Sequence, residues 1–87
     1  MTVPELLTEL HSEVRRQDVG YGPFTGTEPG RSRLAVACLE DETREARKAW
    51  RKERKVDGWP KQRSELLQAA GVAIRAIWDL ECRGHQP

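Results

Sequence analysis

The segment from Leu66 to Leu80 constrains the fold of this chain most, because it is apolar around most of a helical circumference. Its apolar residues recur on nearly every side of a helix: Leu66, Leu67, Ala69, Ala70, Val72, Ala73, Ile74, Ala76, Ile77, Trp78 and Leu80. A helix of this kind is typical of the inside of a bundle, where other helices cover it on several sides. We therefore expect a helical bundle built around this segment.

Two further helices are expected before it. Thr2 and Glu5 have capping-box spacing, with Pro4 tolerated in the first turn, and the apolar stripe that follows predicts a helix ending near Val19. Residues 20–30 are rich in Gly and Pro and predict a loop. A second helix is expected from about Pro29 or Arg31 to about Val56, stopped by Asp57-Gly58.

The third helix is expected to begin at Pro60 and to continue to about Cys82, followed by a flexible tail from about residue 83. No segment alternates with period two for long enough to predict a strand. The sequence therefore predicts an all-α protein, a single domain over residues 1–87 with three main helices.

Chain length predicts that this domain associates with copies of itself. The chain has 87 residues and few large core residues, with one Phe, one Tyr and three Trp. A domain of this size has a core that is only marginally self-sufficient. We therefore expect a homo-oligomer, a dimer or a tetramer.

Composition also predicts the compartment. Cys38 and Cys82 have no metal-finger spacing and are too few for a disulfide framework, and each is expected to act as a small hydrophobe on its helix. No apolar run reaches transmembrane length, and the N-terminus lacks the apolar core of a signal peptide. We expect a cytoplasmic protein that does not enter a membrane.

One carboxylate of the second helix falls where the buried side should be. At about 100° per residue, Glu42 lies in the middle of an arc that includes Ala35, Ala46 and Ala49. Glu45 lies close beside it, so the two charges repel each other. An ionised carboxylate on an apolar face is costly unless a cation or a hydrogen-bonding group compensates for it.

The third helix carries a similar pair, Glu65 and Gln68, at the border of its apolar surface. If the two helices pack antiparallel, this pair approaches Glu42 and Glu45. Oxygen-rich clusters from facing helices suit Mg²⁺ or Mn²⁺. The alternative is a solvated acidic face paired with neighbouring cations, for which Arg44, Arg47 and Lys48 are at hand.

These motifs resemble those of the all-α nucleoside triphosphate pyrophosphohydrolases, the MazG-like group. The matching stretches are Leu39 to Ala46 (LEDETREA) and Glu65 to Ala69 (ELLQA), with an upstream element around Glu13 to Asp18 similar to that of short phage and actinobacterial members. The resemblance implies an oligomeric helical bundle that hydrolyses a nucleoside triphosphate to the monophosphate and pyrophosphate. It also implies that Mg²⁺ is held by Glu42, Glu45 and Glu65. Gln68 departs from the family pattern, which usually has Asp there.

Further roles follow if the chain is such an enzyme. Asp41 or Glu45 is expected to act as general base toward a bound water. Cationic contacts to the phosphates are expected from Lys48, Arg51, Lys52, Lys61 or Arg63, each of which is otherwise a solvated helix residue. The nucleotide base is expected to stack on Tyr21, Trp59 or Phe24; the alternative is that these rings fill the core. The edge of the base is expected to contact Gln17 or Asp18.

Two other functions are compatible with the sequence. A helical module of the same fold, binding a nucleotide or a protein without catalysis, is favoured by Gln68. A nucleic-acid binder working through the basic run from Arg44 to Arg63 is disfavoured, because acidic residues interleave with that run and repel phosphates. The formal net charge of +1 does not point to nucleic acid.

Overall fold

The computed structural model of the protein describes residues 1–55 and 59–84, and within these ranges it contains three α-helices and no strand. They are α1 (Val3–Tyr21), α2 (Gly30–Glu53) and α3 (Pro60–Gly84). The predicted all-α class and three-helix architecture are confirmed. The predicted end of the second helix at Val56, its stop at Asp57-Gly58 and most of the predicted tail lie outside the described residues.

The ends of α1 follow local chemistry. Thr2 is the N-cap, and its hydroxyl oxygen accepts a hydrogen bond from the backbone N–H of Glu5 at 3.3 Å. The helix continues two residues beyond the predicted Val19, to Tyr21, and is capped by Gly22, whose φ of 70° lies in the left-handed region. The N–H of Gly22 donates to the Asp18 carbonyl at 3.0 Å.

Helices α2 and α3 pack antiparallel, which is the condition under which the sequence brings Glu65 and Gln68 toward Glu42 and Glu45. At one end, Arg31 near the start of α2 pairs with Asp79 near the end of α3. At the other end, the Glu53 carboxylate at the end of α2 accepts hydrogen bonds from the backbone N–H groups of Lys61 and Gln62, each at 2.9 Å. Glu53 thereby satisfies N–H groups that the first turn of α3 leaves without a helical partner.

Helix α1 runs parallel to α3 on another side of it. The residue numbers of the contacts increase in the same direction along both helices, since Glu9 pairs with Arg63 and Asp18 pairs with Arg75. The loop from Gly22 to Pro29 carries the chain back to the start of α2. α3 is therefore the central helix, packed along α2 over most of its length and against α1 over a smaller area.

The core is small and contains mainly short side chains. Phe24, Ala35 and Val72 form its buried cluster, with Cys38, Leu39 and Ala76 packed around them. Ala46, Ala49 and Ala69 are also buried, along the contact between α2 and α3. Because alanine side chains are short, the backbones of these two helices approach closely.

The expectation that α3 is covered on several sides is wrong for the isolated chain. Five of its large apolar side chains are exposed, namely Leu66, Ile74, Ile77, Trp78 and Leu80. The buried side of α3 instead contains two charged residues, Arg75 and Asp79. Only α1 and α2 are available to pack on α3, so one face of α3 stays uncovered. The molecule is elongated, with extents of 50 × 26 × 19 Å.

Candidate functional site

Glu42 lies on the side of α2 that faces α3. It is partly buried and shares this side with the buried residues Ala35, Ala46 and Ala49. The alanines bring the backbone of α3 close, so the longer carboxylate side chain stands at the edge of the helix contact rather than in water. The structure thus places a charged group beside the core cluster of Phe24 and Val72.

Three other carboxylates raise the cost of ionising Glu42. Burial raises the pKa of the Glu42 carboxyl above its usual 4.5, and the negative charges of Glu65, Glu45 and Glu13, in that order, raise this pKa further. The guanidinium of Arg16 opposes them. Glu13, Glu42, Glu45 and Glu65 are called the acidic cluster below. Glu65, the residue on which the predicted cluster depends, is partly buried and gives the largest of these charge effects.

Glu13 joins this cluster from α1, although sequence analysis gave it no role. Its side chain is 11% exposed and accepts hydrogen bonds from Arg16 Nε at 2.9 Å and Nη2 at 2.6 Å. These bonds lower the pKa of Glu13 against the opposing effect of burial. A signal was present, because Glu13 continues the spacing of Leu6 and Leu10 on the face that α1 turns inward.

The remaining predicted acids lie at the surface. The Glu45 side chain is 52% exposed and pairs with Lys48 Nζ at 3.3 Å. Asp41 is also exposed and pairs with Arg44 Nη1 at 3.0 Å. Both are pairs within one helix surface, the arrangement expected if this face is simply solvated.

The acidic cluster has the chemistry of a metal site but not its geometry. In residues 1–55 and 59–84, no group of three or more His, Cys, Asp or Glu side chains converges closely enough to hold a metal ion. The carboxylate oxygens have the chemistry that Mg²⁺ and Mn²⁺ prefer. To share one cation, Glu13 and Glu45 must turn away from Arg16 and Lys48.

Among residues 1–55 and 59–84, Gln17 is the largest side chain that is fully buried, and both the nitrogen and the oxygen of its amide form hydrogen bonds within the protein. Its Nε2 donates to Glu13 Oε2 at 2.7 Å and to the backbone carbonyl of Gln68 at 3.0 Å. Its Oε1 accepts from Arg75 Nη1 at 3.4 Å. This placement favours a structural role for Gln17 over contact with a nucleotide base. The partly buried Gln68 lies at the same junction, through its backbone.

Arg75 connects this junction to the loop that follows α1. Its guanidinium donates to Asp18 Oδ1 at 2.8 Å and to the carbonyl of Gly22, and lies 5.1 Å from the centroid of the Phe24 ring. Sequence analysis missed Arg75 and also Asp79, which pairs with Arg31. The available signal was two opposite charges four residues apart within an otherwise apolar helix.

A cleft of about 410 Å³ opens beside Glu42, between α2 and the loop after α1. Its wall includes Tyr21, Phe24, Asp41, Glu42 and Arg75. This volume is within the range of small-molecule sites, roughly 300–1,000 Å³. The cleft brings a predicted general base, a predicted metal ligand and an exposed tyrosine to one place.

The predicted cationic contacts and Trp59 are not part of the wall of this cleft. Lys48 is paired with Glu45, while Arg51 and Lys61 are exposed near the end of α2 and the start of α3. Trp59 lines a different groove, beside Leu6 and Leu66. Phe24 is in the wall of the cleft, but it also belongs to the core cluster and lies under Arg75.

Comparison with known proteins identifies no relative of this chain. No protein-family model, no curated protein and no solved structure matches it. Among the helices in the described part of the chain, none has both the length and the apolar character needed to cross a bilayer.

Proposed function

We propose that this protein is a Mg²⁺-dependent nucleoside triphosphate pyrophosphohydrolase that releases a nucleoside monophosphate and pyrophosphate. One observation carries the proposal: Glu42 is partly buried in the wall of the cleft, and carboxylates of all three helices raise its pKa, with Glu65 of α3 foremost. A divalent cation relieves such repulsion, and oxygen donors suit it. The resemblance of LEDETREA and ELLQA to MazG-like motifs supplies the reaction.

The residues take the following parts in this proposal. Glu42, Glu45, Glu65 and the side-chain oxygen of Gln68 would hold the cation once Glu45 turns away from Lys48. A bound cation would supply charge neutralisation for the phosphates and a lower pKa for a water. Asp41 lies in the wall of the cleft and accepts the proton of the water that attacks the α-phosphorus, and Glu45 is the second candidate for this step. Tyr21 stacks on the base at the mouth of the cleft.

Cations beside the acidic cluster and along α2 and α3 attract the triphosphate. Arg16 lies beside the acidic cluster, and Glu13 holds its guanidinium in place. Lys48, Arg51 and Lys61 are exposed and supply longer-range attraction for an anionic substrate. We place this activity in the cytoplasm, where the free cysteines Cys38 and Cys82 remain reduced.

A second candidate is a non-catalytic module that binds a nucleotide or a protein in the same cleft. The surface pairing of Glu45 with Lys48 favours it, as does Gln68, which removes one negative charge from the predicted ligand set. The two candidates differ in turnover rather than in binding.

The test is incubation of the purified protein with ribo- and deoxyribonucleoside triphosphates and Mg²⁺ or Mn²⁺, with detection of monophosphate and pyrophosphate. Turnover is expected, and Glu42→Gln should abolish it while helical content is retained. The matched control is Glu40→Gln, which alters an exposed carboxylate on the same helix and should keep full activity.

Binding measurements separate the remaining outcomes. Calorimetry with Mg²⁺ should give a binding signal that Glu42→Gln removes and that Gln68→Asp strengthens. Nucleotide binding without release of pyrophosphate would establish the non-catalytic module instead. Neither binding nor turnover with any nucleotide would overturn the pyrophosphohydrolase and the nucleotide-binding module, and would leave only a module that binds a protein.

A further inference from the structure

The C-terminal half of α2 and the residues that follow it carry a concentrated positive charge. Between Arg44 and Lys55, seven residues are Lys or Arg and two are Glu, so this segment has a formal charge of +5. The whole chain has a formal net charge of +1, so the residues outside the segment sum to −4. The nearly neutral total therefore conceals a basic segment on an otherwise acidic protein.

The acidic residues within this segment are engaged by other groups. The sequence disfavours a nucleic-acid partner because these acids interleave with the basic run. In the structure, the Glu53 carboxylate turns toward α3 and accepts hydrogen bonds from the backbone N–H groups of Lys61 and Gln62. Glu45 pairs with Lys48. The objection drawn from the sequence therefore does not apply to the cations that remain.

Four of the remaining cations share the outward side of α2 and its C-terminal end. Arg47, Arg51, Arg54 and Lys55 lie within an arc of about 100°, at about 100° per residue. All four are exposed, and within residues 1–55 and 59–84 no carboxylate pairs with them. They are called the α2 basic face below. This face is not part of the wall of the cleft beside Glu42.

A half-exposed tryptophan borders the α2 basic face. Trp50 is 46% exposed, although its indole is a large apolar group. Arg47 lies three residues before Trp50 and Arg54 lies four residues after it, and these are the spacings at which side chains on a helix are neighbours. Proteins bind single-stranded nucleic acid with this combination, because cations contact the phosphates and an aromatic ring stacks on a base.

We propose that the α2 basic face and Trp50 bind single-stranded nucleic acid, independently of the hydrolysis proposed for the cleft. The four cations contact successive phosphates over about 12 Å of helix, and Trp50 stacks on one base. Stacking of this kind needs an unpaired base, so a duplex engages the cations alone. Phosphates and base faces are common to all nucleotides, so the site does not read sequence.

An acidic protein is a poorer match for this surface. The centre of a stable protein–protein contact is apolar. From Arg47 to Lys55, the apolar residues are Ala49 and Trp50, and Ala49 is buried. A surface of cations with one accessible indole instead fits a partner that carries both regularly spaced charges and flat rings.

The first experiment measures binding of fluorescently labelled oligo-dT and oligo-U of about 15 nucleotides. Fluorescence anisotropy is recorded in EDTA, so that no metal-dependent hydrolysis takes place. For four phosphate contacts, the logarithm of the association constant should fall with the logarithm of the salt concentration with a slope of about −3. Arg47→Gln combined with Arg51→Gln removes two contacts and should reduce this slope to about −1.5.

The matched control is Arg15→Gln combined with Arg33→Gln, which removes the same charge from exposed positions outside the α2 basic face. Its slope should stay at the wild-type value. Absence of binding at low salt, or equal losses in the two double variants, would overturn the proposal. Equal affinity for a duplex or for poly-glutamate of the same length would overturn the choice of partner. None of these measurements depends on turnover, so they fail or succeed separately from the proposed hydrolysis.

The second experiment tests stacking on Trp50. Trp50→Leu should weaken oligo-dT binding by about 5-fold or more and leave the salt slope unchanged, because it removes a ring but no charge. The control is Trp78→Leu, at a 70% exposed tryptophan of α3, which should bind as the wild type does.

Photo-cross-linking gives a readout on the wild-type protein and so does not require any variant to fold. An oligonucleotide that contains bromodeoxyuridine should form its adduct at Trp50, identified by mass spectrometry of peptides. Adducts at Trp59 or Trp78 in place of Trp50 would contradict the proposed site.

Discussion

The side-chain amide of Gln17 lies directly against Gly71. A Cβ atom added at Gly71 would stand 2.6 Å from Gln17 Nε2, 3.2 Å from its Cδ and 3.3 Å from Glu13 Cγ. Glycine is therefore required here by the close approach of α1 to α3, although φ at this position is helical. The contact holds Gln17 between Glu13 and the backbone of Gln68.

Gly71→Ala is expected to destabilise the protein by about 1–3 kcal/mol, the usual cost of overpacking. In an exposed helix the same change would stabilise by up to about 1 kcal/mol, because alanine favours the helix. The control is Gly20→Ala in α1, where an added Cβ meets nothing within 4 Å. Urea denaturation of both variants should give shifts of opposite sign. A stabilised Gly71→Ala would mean that Gln17 moves aside freely.

Arg75→Met is expected to cost about 2–3 kcal/mol, because it removes charged hydrogen bonds to Asp18 and Gly22 from a buried site. The free energy of unfolding of Arg75→Lys should lie between those of the wild type and Arg75→Met, since an ammonium keeps the charge but lacks the paired N–H groups of a guanidinium. Arg44→Met, which breaks an exposed pair with Asp41, should change the free energy of unfolding by less than about 0.5 kcal/mol. Equal losses of unfolding free energy for Arg75→Met and Arg44→Met would contradict a stabilising role for the hydrogen bonds of Arg75.

Glu42→Gln is expected to raise the melting temperature at pH 7 in a chelating buffer. The folded-state pKa of Glu42 lies above its usual 4.5, so between these values the folded protein binds a proton that the unfolded chain has released. Stability due to Glu42 therefore falls as pH rises through this window. The gain in the variant should shrink as pH is lowered toward 4.5, where the wild-type carboxyl becomes neutral.

Calorimetric scans from pH 4 to pH 8 provide this measurement. Glu40→Gln, which alters an exposed carboxylate outside the acidic cluster, should follow the wild type at every pH. Addition of Mg²⁺ should raise the melting temperature of the wild type and leave that of Glu42→Gln unchanged, if the cluster binds the ion. A Glu42→Gln variant that melts below the wild type at pH 7 would refute the repulsion argument.

Arg31→Met is expected to destabilise the protein by about 3 kcal/mol or more, because the Asp79 carboxylate is only 9% exposed and loses its guanidinium partner. The double variant Arg31→Met with Asp79→Leu should recover most of this loss, since a buried ion pair is often replaceable by apolar groups. A double-mutant cycle by chemical denaturation measures the coupling. Additive losses would show that the two side chains act independently.

Local patterns in the sequence were sufficient to predict the helices. The capping spacing of Thr2 and Glu5 identified the start of α1, and Pro60 identified the start of α3. Antiparallel packing of α2 and α3 was a condition of the predicted cluster, and the contacts of Arg31 and Glu53 show that this condition holds. The nearness of Glu42 to Glu65 follows from that geometry.

Tertiary contacts with α1 and its loop were beyond these patterns. Arg75 binds Asp18 and Gly22 across more than fifty residues of chain, and no periodicity within either segment specifies that pairing. Glu13 enters the acidic cluster for the same reason, through the parallel packing of α1 on α3. The exposed side of α3 was predicted as buried because hydrophobicity alone does not distinguish a contact within the chain from one between chains.

The row of alanines between α2 and α3 has a consequence for how this protein tolerates change. Where helices touch through methyl groups, shortening a side chain removes little, but any larger residue at Ala46, Ala49 or Ala69 wedges the helices apart. That separation would also carry Glu42 away from Glu65, since the two carboxylates are mounted on the opposing backbones. The alanines therefore set the distance between Glu42 and Glu65. A substitution at an alanine is able to change the repulsion between these carboxylates without changing any charged residue.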